Sequence, residues 1–270
     1  MVEWFKKYSS ILRASIISAL EYKANSVVGI FAILTGFFIE YLVWDLIYQN
    51  HSTGMIRKME FDTLIAYIFL SLIIGQLKSS WITSQEMITQ IRHGFMNQYI
   101  IKPVSFFNYN LMSFIGTNIL YYIPYTILIV IISFIFSGLM FSNFIQIPFF
   151  ILAVIISIYL SYSIYFFIVC FAFWFGEVRA FLAAYNIANF VLAGQIIPLQ
   201  FFPPNYLNII KYTPIPYLIR FPVDIAMSEE STVLIWINTI FIALAWCIIM
   251  RILGGVLYSV GIKRYEAYGA

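Results

Sequence analysis

The residues able to do chemistry are sparse, and their spacing argues against most of it. No GxxxxGK[ST] phosphate-binding loop occurs; the segments 54–58 (GMIRK) and 254–263 carry glycines and basic residues at the wrong spacing. There is no HExxH, no GxSxG and no Cys/His cluster, so no catalytic residue and no metal ligand is expected. His51 and His93 lie in polar segments and read as solvated histidines. Cys170 and Cys247 lie inside apolar runs and read as small core residues rather than a disulfide or a metal pair. Intramembrane proteolysis needs paired aspartates or a Ser/His pair within apolar stretches, and neither is present.

A few charges stand in or near apolar runs, where a helix-centre charge costs about 2.5 to 3.5 kcal/mol. Lys78 and Arg251 are near the ends of such runs and can snorkel toward water. Glu177 and Arg179 can pair within one short turn. Glu40 resists such an account: it lies well inside its run. It can face a cavity in a dimer, pair with another span, or be protonated, and a place on a transport pathway is one candidate role.

The most informative polar stretch covers residues 83–107. Thr83 and Glu86 have the spacing of a capping box, which predicts a helix starting there and running through Arg92. Gly94 can end it in a left-handed turn. The pattern resumes from Phe95 to Ile101, and Lys102-Pro103 closes the segment. A short helix held between two spans can act as a lever for a cytoplasmic partner. An amphipathic surface loop fits the same pattern.

These residues must be positioned by a membrane-embedded scaffold. The chain of 270 residues is 62% hydrophobic and 10% charged, whereas a soluble domain is nearer a quarter charged. That excludes a soluble enzyme and a nucleic-acid-binding protein. Aromatics reach 20%, with 27 Phe and 20 Tyr, as suits lipid-facing surfaces with interfacial rings. No cleavable signal peptide is evident. Residues 2–23 place Tyr8, Ile11, Leu12 and Ile16 on one face and Lys6, Lys7 and Arg13 on the other. This predicts an amphipathic helix in the membrane surface, with a soluble partner-facing helix as the alternative.

Six apolar runs follow, at 25–48, 61–81, 108–136, 145–174, 180–199 and 233–258. Each meets or exceeds the ~20 residues a bilayer requires. The expected fold is therefore an all-α polytopic membrane protein with six transmembrane helices, forming one domain over residues 1–270. Six spans put both termini on one side. Lys6, Lys7, Arg13, Lys23, Lys78, Arg92, Lys102, Arg179, Arg251, Lys263 and Arg264 share that side; only Arg57, Lys58, Lys211 and Arg220 lie opposite. Both termini are thus expected in the cytoplasm.

Between the fifth and sixth runs the pattern breaks. Prolines at 198, 203, 204, 214, 216 and 222 interrupt short apolar pieces. Proline removes a donor and clashes with the preceding turn, so a continuous helix is excluded. An unpaired backbone group in lipid costs several kcal/mol, so the stretch must be shielded by protein or lie at an interface. Residues 200–225 read as two short re-entrant or interfacial helices; an ordinary outer loop with apolar content is the alternative.

Three segments carry a resemblance to the permease subunits of type-2 ATP-binding-cassette exporters: EYKANSVVGIF at 21–31, QIRHGFMNQYIIKPVSF at 90–106 and AGQIIPLQFFPPNYLNIIKYTPIPYLIRFPVDI at 193–225. The second resembles the family's IR-x-G…LL-x-P pattern, the third its SG…IPL…FP pattern. Ala193 stands where serine is common, and Phe95-Met96-Asn97 replaces a more acidic run. The resemblance covers nearly the whole chain. It implies a coupling helix between spans two and three, with Glu86, Arg92, Gly94 and Phe95 as contacts for a partner nucleotide-binding ATPase. It implies an outer gate at the re-entrant helices, around Pro198, Phe202, Pro203, Pro214 and Pro216. It implies a second permease chain, identical or related, joined through the first and fifth spans. ATP and Mg would be bound by the ATPase, with no cofactor in this chain, in a bacterial inner or plasma membrane. The cargo would be an amphiphile: a drug, peptide, lipid or glycan. A secondary transporter is the first rival, though such proteins show inverted repeats that are not visible here. A membrane scaffold without transport is the second.

Overall fold

The computed structural model describes residues 2–21, 23–50, 55–56, 59–101, 104–136, 138–175, 177–228 and 233–265. His51, Arg57, Lys58, Lys102 and Pro103, on which some of the expectations above rest, lie outside them. Apart from a hairpin of β1 (Met55–Ile56) and β2 (Met59–Glu60), the regular structure described is helical.

The amphipathic pattern at the start becomes α1 (Val2–Glu21), followed by α2 (Lys23–Gln49). The apolar side of α1 does not face lipid alone. It packs along α6 (Phe106–Ile135): the Ser105 N–H donates to Tyr8 Oη at 3.4 Å, and Ser15 Oγ donates to Ser113 Oγ at 3.4 Å. Gly116 admits this approach, since a Cβ there would sit 2.6 Å from Ser15 Cβ. Lys6 and Arg13 stay exposed on the other face.

The second apolar run forms α3 (Phe61–Leu77), and after residues 78–80 the chain continues as α4 (Trp81–Arg92). The helix thus starts two residues ahead of the capping-box signal. Ser80 takes the cap position, Thr83 is buried within the helix, and the Ser84 hydroxyl bonds the Ser80 carbonyl at 2.8 Å. With the helix already begun at Trp81, the Glu86 N–H falls within the intrahelical ladder, so Thr83 has no orphan donor to cap. Gly94, at φ +82°, ends the helix as expected, and α5 (Asn97–Ile101) follows.

After α6 come α7 (Gln146–Val169), extended by a 3-10 turn at Cys170–Phe173, and then α8 (Arg179–Leu192). Short helices α9 (Pro204–Ile210) and α10 (Arg220–Met227) precede the long α11 (Val233–Gly261). Five helical stretches among the described residues are long and apolar enough to cross a membrane: Val27–Gln49, Phe61–Arg92, Phe106–Ile135, Gln146–Phe173 and Val233–Arg264. The fifth expected span is shorter in helix than its sequence suggests. Its 14 helical residues rise ~21 Å, against a hydrocarbon core of ~30 Å.

The core is split between the two ends of the bundle. At one end Leu64, Ile68, Phe150, Leu218, Ile219 and Val223 pack together; at the other Met87, Ile88, Phe106, Phe114, Tyr162 and Leu182 do. Tyr162 crosses between elements there, donating its hydroxyl to the Phe107 carbonyl at 2.8 Å. Cys170 and Cys247 are free and buried, as expected of small core residues. The central position of α3 is plain from burial: 72% of the most apolar window of the second span is covered by the chain, against 6% for the first.

Candidate functional site

The broken stretch begins where α8 stops. The Gln195 N–H bonds the Phe190 carbonyl at 3.2 Å and the Gly194 N–H bonds the Val191 carbonyl at 3.2 Å, with Gly194 at φ +79°. This is a Schellman ending with glycine in the left-handed position, and it stops the helix at Leu192 rather than near Leu199. A glycine followed four residues later by proline was the available signal. The irregular backbone beyond it is buried, so its carbonyls need donors. Two hydroxyls of α3 supply them: Tyr67 Oη donates to Gly194 O at 2.6 Å, and Ser71 Oγ donates to Gln195 O at 2.8 Å. A Cβ on Gly194 would meet Tyr67 Oη at 2.8 Å and Leu199 Cγ at 3.0 Å.

From there the chain reaches the end of the bundle that holds the hairpin. Phe201 meets Trp44 with ring centres 5.7 Å apart, and Gln200 Nε2 lies 3.3 Å from the Met59 sulfur. The chain then turns back. Ser157, well inside α7, donates its hydroxyl to the Leu218 carbonyl. Ser157 lies about 16 Å along α7 from its first residue, Gln146, at the usual helical rise. By Ser228 the chain has returned to that end, where Gln146 Nε2 donates to the Ser228 carbonyl at 2.6 Å and the Phe141 N–H donates to Ala226 O at 2.7 Å.

The expected gate residues fall into two groups along this path. Pro198 is buried beside the helix ending, while Phe202 stacks on Tyr206 (4.7 Å between centres) and Pro203 occupies the N-cap of α9. Pro214 and Pro216 stand at the foot of α10. Pro216 lines a cavity of about 340 Å³ with Lys211, Tyr217, Arg220, Asp224 and Trp236. Within it Arg220 Nε donates to Asp224 Oδ2 at 3.0 Å.

The expected coupling residues also divide. Arg92 Nη1 reaches Glu177 Oε2 at 2.6 Å, and Arg179 Nη1 reaches the same oxygen at 3.3 Å. Arg179 Nη2 also donates to Thr89 Oγ1 at 3.1 Å, so the end of α4 is clasped to the turn before α8. The expected Glu177–Arg179 pair is therefore part of a larger clasp that includes Arg92. The Glu177 carboxyl is held below the usual carboxylate range, first by the hydrogen bond from the Arg179 backbone N–H and then by the charges of Arg179 and Arg92. Phe95 projects beside this clasp, 58% exposed, with the His93 ring 6.4 Å away. Glu86 is elsewhere on the helix. It lines a cavity of about 600 Å³ with Ser18 of α1, Trp81 of α4 and Tyr121 of α6.

The two charges expected to snorkel differ in burial. Lys78 is only 3% exposed and lines a separate cavity against α8. Arg251 lays its guanidinium over the Phe107 ring, 4.1 Å from the centroid, a cation–π contact. Glu40 lies at helical spacing between Phe37, which meets Phe69, and Trp44, which meets Phe201; its Oε2 is buried without a hydrogen-bond partner among the described residues. It is therefore on the side of α2 that packs against the chain, not on that helix's exposed apolar side.

Two hydroxyls of α3 hold the break after α8, and surface charges clasp the end of α4 to the start of α8. No curated protein matches the chain. A family model described as ABC-2 family transporter protein matches residues 34–269. The chain belongs to that family of membrane permeases of ATP-binding-cassette transporters.

Proposed function

We propose that this chain is the transmembrane subunit of an ATP-driven exporter that moves an amphiphile outward, the ATP and Mg being bound by a separate nucleotide-binding subunit. The observation that carries the reading is the continuity of α3 and α4. Joined across residues 78–80, α4 presents Arg92 in its last turn, with Phe95 just beyond it, while α3 grips the broken fifth span through Tyr67 and Ser71. A push on α4 can pass through that short junction to α3, which holds the pathway's irregular backbone. In this reading the fifth span is α8 together with residues 193–201, and α9 and α10 are re-entrant helices forming the outer gate around Pro198, Phe202, Pro203, Pro214 and Pro216.

Arg92, Gly94 and Phe95 form the coupling surface, with both termini on the same cytoplasmic face of a bacterial membrane. Glu86 lies away from that surface and is assigned to the cavity it lines. The exposed apolar sides of α2 and α8 are where a second permease chain would sit, leaving Glu40 near but not on the shared pathway.

The test is purification of the tagged chain from native membranes in mild detergent, followed by identification of what accompanies it. The expected result is a subunit carrying a GxxxxGK[ST] loop, with ATP turnover that changes on adding Arg92→Glu chain in place of the native one. A chain that arrives alone under several detergents overturns the reading.

A further inference from the structure

Between the junction of α3 and α4 at residues 78–80 and the last turns of α8 lies a cavity of about 250 Å³. Its wall holds Lys78, Gln76, Trp81, Asn186, Asn189 and Gln195. Lys78, Asn189 and Gln195 are each less than 5% exposed. No carboxylate lines this cavity, and among the described residues Lys78 has no ion pair and no side-chain hydrogen bond. A buried lysine amine stays charged at little cost only where an anion meets it, and an anion in this cavity would be that partner. The remaining wall is rich in donors. Tyr165 gives its hydroxyl proton to Asn186 Oδ1, which leaves the Asn186 amide N–H groups free; the Gln76 and Gln195 amides and the Trp81 indole add more. The Gln195 side chain is seated against Gly75, where a Cβ would lie 2.6 Å from its Nε2.

The mouth of the cavity borders apolar surface. Phe190 lines it and is 42% exposed, and Ile187, one turn earlier on α8, is 68% exposed. A charged head placed beside Lys78 could lay a hydrocarbon chain along this face of α8, which in the dimer reading above would run at the seam with the second chain.

We infer that this cavity binds a phosphate group, carried on the head of an amphiphile or free, with Lys78 as the counter-charge and the Gln76, Asn186 and Gln195 amides as donors. The inference rests on the exporter reading only for what the occupant is for: in that reading it is cargo or a lipid at the entrance of the pathway. The binding itself needs no ATPase.

The experiment titrates the purified full chain in a non-ionic detergent and follows Trp81 emission, taken as the difference from a Trp81→Phe chain. The probes are dihexanoyl phosphatidylglycerol, inorganic phosphate, and dihexanoylglycerol, which has the same tails and no phosphate. We expect saturable binding of the phosphatidylglycerol, weakened roughly tenfold or more by Lys78→Gln and retained by Lys78→Arg. Equal binding of inorganic phosphate with the same dependence on Lys78 supports the site and assigns it to a free anion. Equal binding of dihexanoylglycerol by the unaltered chain overturns the inference without recourse to any variant. So does a response to either phosphate probe that a monodisperse Lys78→Gln chain keeps unchanged. Because no partner enters the titration, its failure and a failed co-purification of an ATPase are separate results.

Discussion

The two places where this chain leaves regular helix beside α3 are held by opposite means. At the end of α8 the backbone breaks inside the bundle, and neutral hydroxyls from Tyr67 and Ser71 close its carbonyls out of contact with water. At the end of α4 the break is on the surface, and a guanidinium–carboxylate clasp of half-exposed Arg92, Glu177 and Arg179 holds it. A buried unpaired carbonyl has no other source of donors, so the first arrangement is fixed by the fold. Exposed charges can exchange partners with water or another protein at little cost, so the second can be remade. The inner break reads as structure and the surface break as a switchable joint.

Gly194 should give the largest effect. Gly194→Val would require a β-branched residue at φ +79° with its Cβ 2.8 Å from Tyr67 Oη. Backbone strain of this kind costs about 1 to 3 kcal/mol before the clash is counted. We expect loss of a monodisperse species in detergent, read by size exclusion and thermal unfolding. Gly75→Ala supplies the contrast: its Cβ meets the Gln195 amide at 2.6 Å, the end of a flexible side chain that can move aside, so the chain should stay folded. If Gly194→Val melts with the unaltered chain, the inner break is not fixed.

Next come the two hydroxyls. Tyr67→Phe and Ser71→Ala each leave a buried carbonyl without its donor, at about 1 to 3 kcal/mol. Both should lower the midpoint of thermal unfolding, and the double variant should lose more than either alone. An unchanged midpoint in both would mean that water reaches residues 194–195, and the contrast with the surface joint would lapse.

Much of this was legible in the sequence, and what was not has physical reasons. The apolar runs gave the long helices because length and hydropathy decide a span. Gly94 marked its own turn. The end of α8 was misplaced because the apolar run continues through Ile196 and Ile197 after the helix has ended; hydropathy does not report a left-handed glycine. The position of Lys78 and Arg251 in their apolar runs is visible in the sequence, while the cavity wall from α8 around Lys78 and the Phe107 ring under Arg251 are not. The Arg92–Glu177 contact joins residues 85 positions apart, and no local pattern carries such a pairing.

The surface joint is tested by charge exchange. Arg92→Glu places two carboxylates together and should reduce ATPase-coupled transport about tenfold while leaving membrane insertion and thermal unfolding nearly unchanged. The double exchange Arg92→Glu with Glu177→Arg separates two roles. Recovery of transport means that Arg92 serves the clasp to α8. Continued loss means that the ATPase reads Arg92 directly, as the coupling assignment holds.

The smallest effect should come from pH, and its sign follows from Glu177. Its folded carboxyl titrates below the usual range, so the contribution of its ionised form is fully present above the ordinary carboxylate value, near 4.5. It is lost only as pH falls through the lower, folded value. The clasp should therefore be indifferent to pH from about 5 to 8 and loosen under stronger acid. Protease accessibility of the turn between α7 and α8, measured across that range, should stay flat and then rise. A rise already near pH 6 would mean that the Glu177 carboxylate is not what closes the joint, and no rise even in stronger acid would assign the closure to the apolar contacts of Val178 and Leu182 beneath it, which are fully buried.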